Sequence, residues 1–229
     1  MGNAHLYDKN TTCVLCDFSF KTKKLRSSFI RIEFNDSDFY SKYKSESCNP
    51  LLYYVSVCPN CGFSFSDEFS PQLSVPAKKH LTEHVWNHWA KHDYCQERSM
   101  QGALSAYKLA IYCADLKHEK HSVKAGLLHR LAWMYRSEGT EDQEMRFLEL
   151  ALKEYIQSYM MEDYAGTKMT EMRVLYLIGE LSRRIGKETQ AVRYFSRIIE
   201  NQSQTLEKGL VEMAKDRWQE MREARALVQ

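Results

Sequence analysis

Residues 13–16 read Cys13-Val14-Leu15-Cys16, and residues 58–62 read Cys58-Pro59-Asn60-Cys61-Gly62. Each is a C-x2-C step. Two thiolates spaced this way can reach one ion from a single tight turn. Two such turns fill the corners of a tetrahedron about 2.3 Å from a zinc ion. Pro59 stiffens the second turn, and Gly62 lets the backbone twist so that amides face sulfur. The spacing predicts one zinc ion held by Cys13, Cys16, Cys58 and Cys61. Four thiolates leave no open coordination position, so the predicted ion is structural rather than catalytic. An iron site of rubredoxin type and a redox dithiol are the other readings of these residues. The first knuckle, CVLCD, lacks the glycine that favours iron. Cys48 reads as a free thiol near the site, and Cys95 and Cys113 as small buried hydrophobes within helices.

Outward from the cysteines, composition changes near residue 76. SFIRIEF (28–34) alternates apolar and polar residues, and LLYYVSV (51–57) is an apolar, β-branched run; both predict strands. NDSDFYSKYKSESCNP between them reads as a loop. Residues 1–75 are therefore expected to form a zinc-binding, β-rich module whose thin core needs a metal staple. Ser74-Val75-Pro76 marks the boundary, since proline suits the first turn of a helix. Beyond it apolar residues recur at three- and four-residue steps, with breaks near Gly139, Gly166 and Gly186. Residues 76–229 are expected to be all α, with six or seven helices. The fold class is α+β.

VLYLIGELSRRIGKETQAVRYFSRII (174–199) has the spacing of a tetratricopeptide repeat. Leu175, Ile178 and Gly179 stand where the first helix packs closely, Gly186 turns the chain, and Ala191, Phe195 and Ile198 face back. Leu128, Leu131, Ala132, Tyr135, Gly139, Leu148 and Ala151 take the same relative places, with Glu144 where a small residue is expected. Ala103, Tyr107 and Ala110 suggest a further half-copy. The steps between copies are about 41 and 47 residues, longer than the usual 34. Leu206, Leu210, Met213, Ala214 and Trp218 outline a capping helix over 205–225.

Bulk properties exclude more than they assign. A net charge of +2 on 229 residues is too mild to demand a nucleic acid or a membrane surface. No apolar run approaches the ~18 residues of a membrane span. The first residues lack a signal-type apolar core, and Leu6 stands where a myristoylation signal needs Ser or Thr. With an odd count of seven cysteines, these features predict a cytoplasmic protein without a disulfide framework or a membrane partner.

Other signals carry less. His80, His84, His88 and His92 form a stripe, and His80/Glu83/His84 matches the inverted zinc-peptidase pattern H-x-x-E-H. The plainer reading is the polar edge of a Leu81/Val85/Trp89 packing face. Lys21, Lys23, Lys24, Arg26 and Arg31 form a basic run among aromatics, which suits phosphates but also suits internal pairing with Asp36 and Asp38. No Gly-rich phosphate loop and no G-x-S-x-G elbow occurs.

The order CVLC, KTKKLRSSFIRI, DSDF, NPLLYYVSVCPNCGF and then a helical region resembles the bacterial domain-of-unknown-function family 2225, over nearly the whole chain. The resemblance implies a zinc-knuckle front with tetratricopeptide-like helices, and carries no activity. The first functional expectation is a noncatalytic zinc-binding adaptor or scaffold. Its protein or peptide partner would meet Tyr135, Arg136, Tyr176, Glu180 and Arg183 on the stack's first helices. The second is a nucleic-acid-binding protein working through the basic zinc module. The third is a metal-dependent hydrolase using His80, Glu83 and His84. Arg26, Arg31, Asp36 and Asp38 are expected to form a polar site near the zinc module.

Overall fold

β1 (Leu6–Thr12) pairs antiparallel with β2 (Ser19–Leu25), in register from Leu6↔Leu25 to Thr12↔Ser19. The computed structural model describes residues 5–226. Strand β2 alternates as a pleated strand must. Phe20 and Thr22 are buried, while Lys21 is exposed and Lys23 reaches Asp8 at 2.7 Å. Lys24 follows Thr22 on the inner face, where its Nζ donates to the Tyr53 carbonyl at 2.6 Å. The basic run is therefore half of a hairpin, with its cations on opposite faces.

SFIRIEF is a strand only in its second half. Ser27–Phe29 form a 3-10 turn, and β3 (Ile32–Asn35) pairs with β4 (Ser41–Tyr43) across a register shift between Ile32 and Phe34. LLYYVSV is also mostly not a strand. Pro50–Tyr53 form a 3-10 turn, because the Asn49 side chain accepts from the Leu51 amide and Pro50 is pre-set for a first helical position. Only β5 (Ser56–Val57) remains, paired with β6 (Ser64–Phe65).

Seven α-helices follow among the described residues: α1 (Val75–His84), α2 (Met100–Lys117), α3 (His121–Ser137), α4 (Glu141–Met161), α5 (Glu171–Arg184), α6 (Glu188–Glu200) and α7 (Lys208–Ala226). Side-chain caps start three of them. Ser74 accepts from the Ala77 amide, Ser99 from Gly102 and Thr170 from Arg173, each satisfying a donor the helix cannot.

The chain divides into two compact units. One holds the residues up to Asp36, Ser41–Glu119 and Trp133–Gly139; the other holds Ser37–Tyr40, Lys120–Ala132 and Thr140 onward. The division does not fall at residue 76: α1 and α2 cluster with the strands. The physical reason is area. Two-stranded ribbons cannot bury enough apolar surface alone. In the first unit Leu81, Val85, Cys95 and Cys113 pack into one cluster with Leu15, Phe20, Phe63 and the metal-site cysteines.

One core cluster of the second unit is formed by Leu175, Tyr176, Ala191, Phe195, Ile198, Leu210, Val211 and Ala214. Helices α5 and α6 make a hairpin turned at Gly186, whose φ is +76°. A Cβ at Gly179 would lie 2.7 Å from Phe195 Cε1, so glycine is what lets the Phe195 ring lie against α5. Leu206, expected within the capping helix, precedes α7 and is 98% exposed, whereas Leu210, Met213, Ala214 and Trp218 do pack.

Candidate metal centre

The two cysteine turns have the same backbone. In the first, the Asp17 amide donates to the Cys13 carbonyl at 2.9 Å and the Cys13 amide to Phe18 O at 3.0 Å. In the second, Gly62 donates to Cys58 O and Cys58 to Phe63 O, both at 2.9 Å. Each turn closes a hairpin of equal reach, Thr12↔Ser19 in one and Val57↔Ser64 in the other. The sequences explain this: CVLCDFSF (13–20) and CPNCGFSF (58–65) agree at both cysteines, both phenylalanines and the serine. This short internal repeat is visible in the sequence when the two knuckles are aligned.

A left-handed residue ends each turn. Gly62 has φ +75° and Asp17 has φ +57°. Aspartate tolerates that region better than most residues, so the first knuckle reaches the same geometry without glycine. The missing glycine thus does not discriminate zinc from iron. At the second knuckle glycine is required twice, because a Cβ there would lie 2.4 Å from Trp89 Cε3. Trp89 lies against that turn, and its indole Nε1 donates to Pro59 O at 3.1 Å.

The turns bring four sulfurs together. All four lie within 4.8 Å of one another. Cys13 and Cys61 Sγ are 3.6 Å apart, and Cys16 and Cys58 Sγ 3.7 Å. A tetrahedral ion about 2.3 Å from each sulfur sets S···S near 3.8 Å, so the residues fit a metal. Cys13, Cys58 and Cys61 are fully buried. Backbone amides of Leu15 and Cys16 point at the Cys13 sulfur, those of Asn60 and Cys61 at the Cys58 sulfur. Asn60 Nδ2 crosses to Cys16 Sγ at 3.5 Å, so each turn donates to sulfur. Asn60 and Trp89 are supporting residues that spacing alone did not reveal.

The clustered thiols share charge unequally. Hydrogen bonding among the clustered sulfurs holds the Cys58 thiol well below its usual range. The same sulfur contacts, together with burial, push the Cys13 and Cys61 thiols up. A bound cation reverses this preference.

The remaining site expectations land elsewhere. His80, Glu83 and His84 lie on α1, which ends before His88 and His92, so the four-histidine stripe is broken at Val85. The His80 and His84 rings are 6.4 Å apart. Among the described residues the four cysteines form the one close-set group of three or more His, Cys, Asp or Glu ligands.

Of the expected polar set, Arg26, Arg31 and Asp36 belong to the first unit and Asp38 to the second. The Arg26 guanidinium lies over the Tyr7 ring at 5.4 Å, Arg31 donates to its neighbour's carbonyl, and Asp36 accepts from Arg136 at 3.0 Å. Asp38 is fully buried in the second unit. Burial also pulls Lys24 down to about 8, which weakens it as a phosphate contact.

The five expected partner-binding residues are largely engaged within the chain. Tyr135 is buried, with Lys108 Nζ 5.6 Å from its ring, and Arg136 holds Asp36. Tyr176 and Glu180 are fully buried. Glu180 accepts from Arg183 and Arg184 Nε, and from Ser37 Oγ at 2.7 Å. Tyr176 Oη donates to the Ser37 carbonyl at 2.8 Å, and burial pushes that phenol up. Arg136 and Arg183 are the partly exposed members, and Glu180 stabilises the charge of Arg183.

The family model described as an uncharacterized protein conserved in bacteria (DUF2225) matches residues 6–221. Neither the curated proteins nor the solved structures gave a match.

Proposed function

The chain belongs to the bacterial DUF2225 family, and we propose that it is a noncatalytic zinc-binding protein that works by holding a protein or peptide partner. The observation carrying the metal half of this reading is the closed set of four sulfurs, spaced for a tetrahedral ion and ringed by amide donors. Such a shell offers no position to a substrate, so the ion orders the fold. Zinc is the assignment because a redox-inert ion suits a purely structural, closed site, whereas iron uses the same shell for electron transfer.

The partner half is supported by the helical unit. Its α5–α6 hairpin has the close Gly179–Phe195 approach of a tetratricopeptide-like repeat, and such stacks present extended binding surfaces. An open groove of about 520 Å³ runs along α4 to the start of α6, lined by Arg146, Leu150, Lys153, Ile156 and Lys187.

Two measurements test the reading. Elemental analysis of untagged protein is expected to give one zinc per chain; iron in its place contradicts the assignment. Crosslinking in the source cells, followed by mass spectrometry, is expected to return the same partner from independent preparations. Repeated absence of any enriched partner contradicts the interaction role.

A further inference from the structure

Ser37-Asp38-Phe39-Tyr40 belongs to the second unit, although the residues flanking it on both sides belong to the first. It meets the helices as a bound peptide would. The main chain is held by Tyr176, which donates to the Ser37 carbonyl. Each of the next contacts reads a particular side chain. Ser37 Oγ donates to Glu180 and accepts from Arg184 Nη2 at 2.9 Å. The Asp38 carboxylate lies 3.3 Å from His129 Nε2 and 3.7 Å from Arg184 Nη2, with no exposure to solvent. His129 in turn meets Tyr155 Oη at 3.4 Å. The Phe39 ring packs on Tyr176 at 5.5 Å, with the Arg173 guanidinium 4.6 Å from its centroid.

This is costly architecture for a mere loop. Phe39 has φ +67°, a conformation that a bulky residue keeps only where its surroundings impose it. Two fully buried carboxylates, Asp38 and Glu180, are matched to arginine and histidine. Buried ionic contacts add selectivity more dependably than stability. The carrier hairpin brings little support of its own, since all four β3 residues are exposed and β4 has three residues. Weakly supported segments open locally before the fold does.

We propose that the Arg173–Arg184 face of α5, completed by His129, is a recognition groove for a Ser-Asp-Phe segment in a turn conformation. Residues 37–40 are its resident occupant, and a protein partner enters by presenting the same acidic-aromatic segment and displacing them. This rests on the interaction role above and names the partner's chemistry. It also explains why Tyr176 and Glu180 are occupied from within.

The test uses a labelled synthetic peptide of residues 34–43 and two full-length chains, wild type and S37G/D38G/F39G. The emptied chain is expected to bind the peptide at least about tenfold more tightly than wild type, whose groove is filled. A peptide carrying Asp38→Asn is expected to lose about tenfold, as removal of a charged hydrogen bond does. No binding by the folded triple variant, or equal binding of both peptides, overturns the proposal. If the triple variant does not fold, amide exchange in the wild-type chain decides. Faster exchange at 37–40 than in α6 supports a displaceable occupant; exchange of both at one common rate overturns it. The two readings fail separately. Peptide binding without any cellular partner leaves the groove and removes the adaptor role. A cellular partner that the peptide never displaces removes only the groove.

Discussion

The two units are held together by different physics. In the first, three two-stranded ribbons carry little area, and the buried apolar cluster includes three of the metal-site cysteines. In the second, helices of 13 to 21 residues, α4 to α7, are packed along apolar seams around Phe195 and Tyr176. The lesson is that a core built around a ligand set answers to what that set can bind, whereas a core built on side-chain packing depends on shape. The same contrast recurs within the metal site. The two knuckles share a backbone, yet one spends an aspartate and the other a glycine on the left-handed position.

The largest expected effect separates the units outright. Cys58→Ser, or chelation of the wild-type chain, removes a bond set whose apparent contribution is on the order of 10 kcal/mol. Amide protection is expected to collapse across β1, β2, β5 and β6 while α5 and α6 stay protected. Simultaneous loss in both would erase the contrast. Phe195→Ala does the reverse. It opens a cavity beside Gly179 and is expected to cost the second unit about 3–5 kcal/mol in denaturant unfolding, with metal content unchanged.

Smaller changes sharpen the knuckle comparison. Gly62→Ala forces a Cβ into Trp89 at a positive φ, and is expected to cost about 2–4 kcal/mol. Asp17→Gly, at the equivalent place, is expected to be neutral or to stabilise by about 0.5 kcal/mol. Equal losses at both sites would show that the turns are not equivalent. Metal uptake should also release protons. Both Cys13 and Cys61 are pushed up, and a thiol must give up its proton to ligate. Affinity is therefore expected to fall as pH falls, and calorimetry in buffers of different ionisation enthalpy reads the proton count.

The cysteine ligands were legible because their spacing encodes a tight turn that works within a few residues. The α5–α6 hairpin was legible for a similar reason: Gly179, Gly186 and Phe195 write a local packing rule. Strands β1 and β2 were not, because Lys24 occupies an inward position that reads as surface until its stem is buried and its Nζ meets Tyr53 O. LLYYVSV misled because burial on all sides resembles a central strand, while Asn49-Pro50 had already set a 3-10 turn. The partner of Ser37 lies 143 residues away at Glu180, and no local pattern in DSDF announces that distance.

Stoichiometry measured on untagged chain, with metal and reactive thiols counted in the same sample, tests the central claim most directly. One tightly held ion per chain is expected, with Cys13, Cys16, Cys58 and Cys61 protected from alkylation until the ion is withdrawn. A folded chain without metal, whose four thiols alkylate freely while β1 and β2 remain protected from exchange, would contradict it.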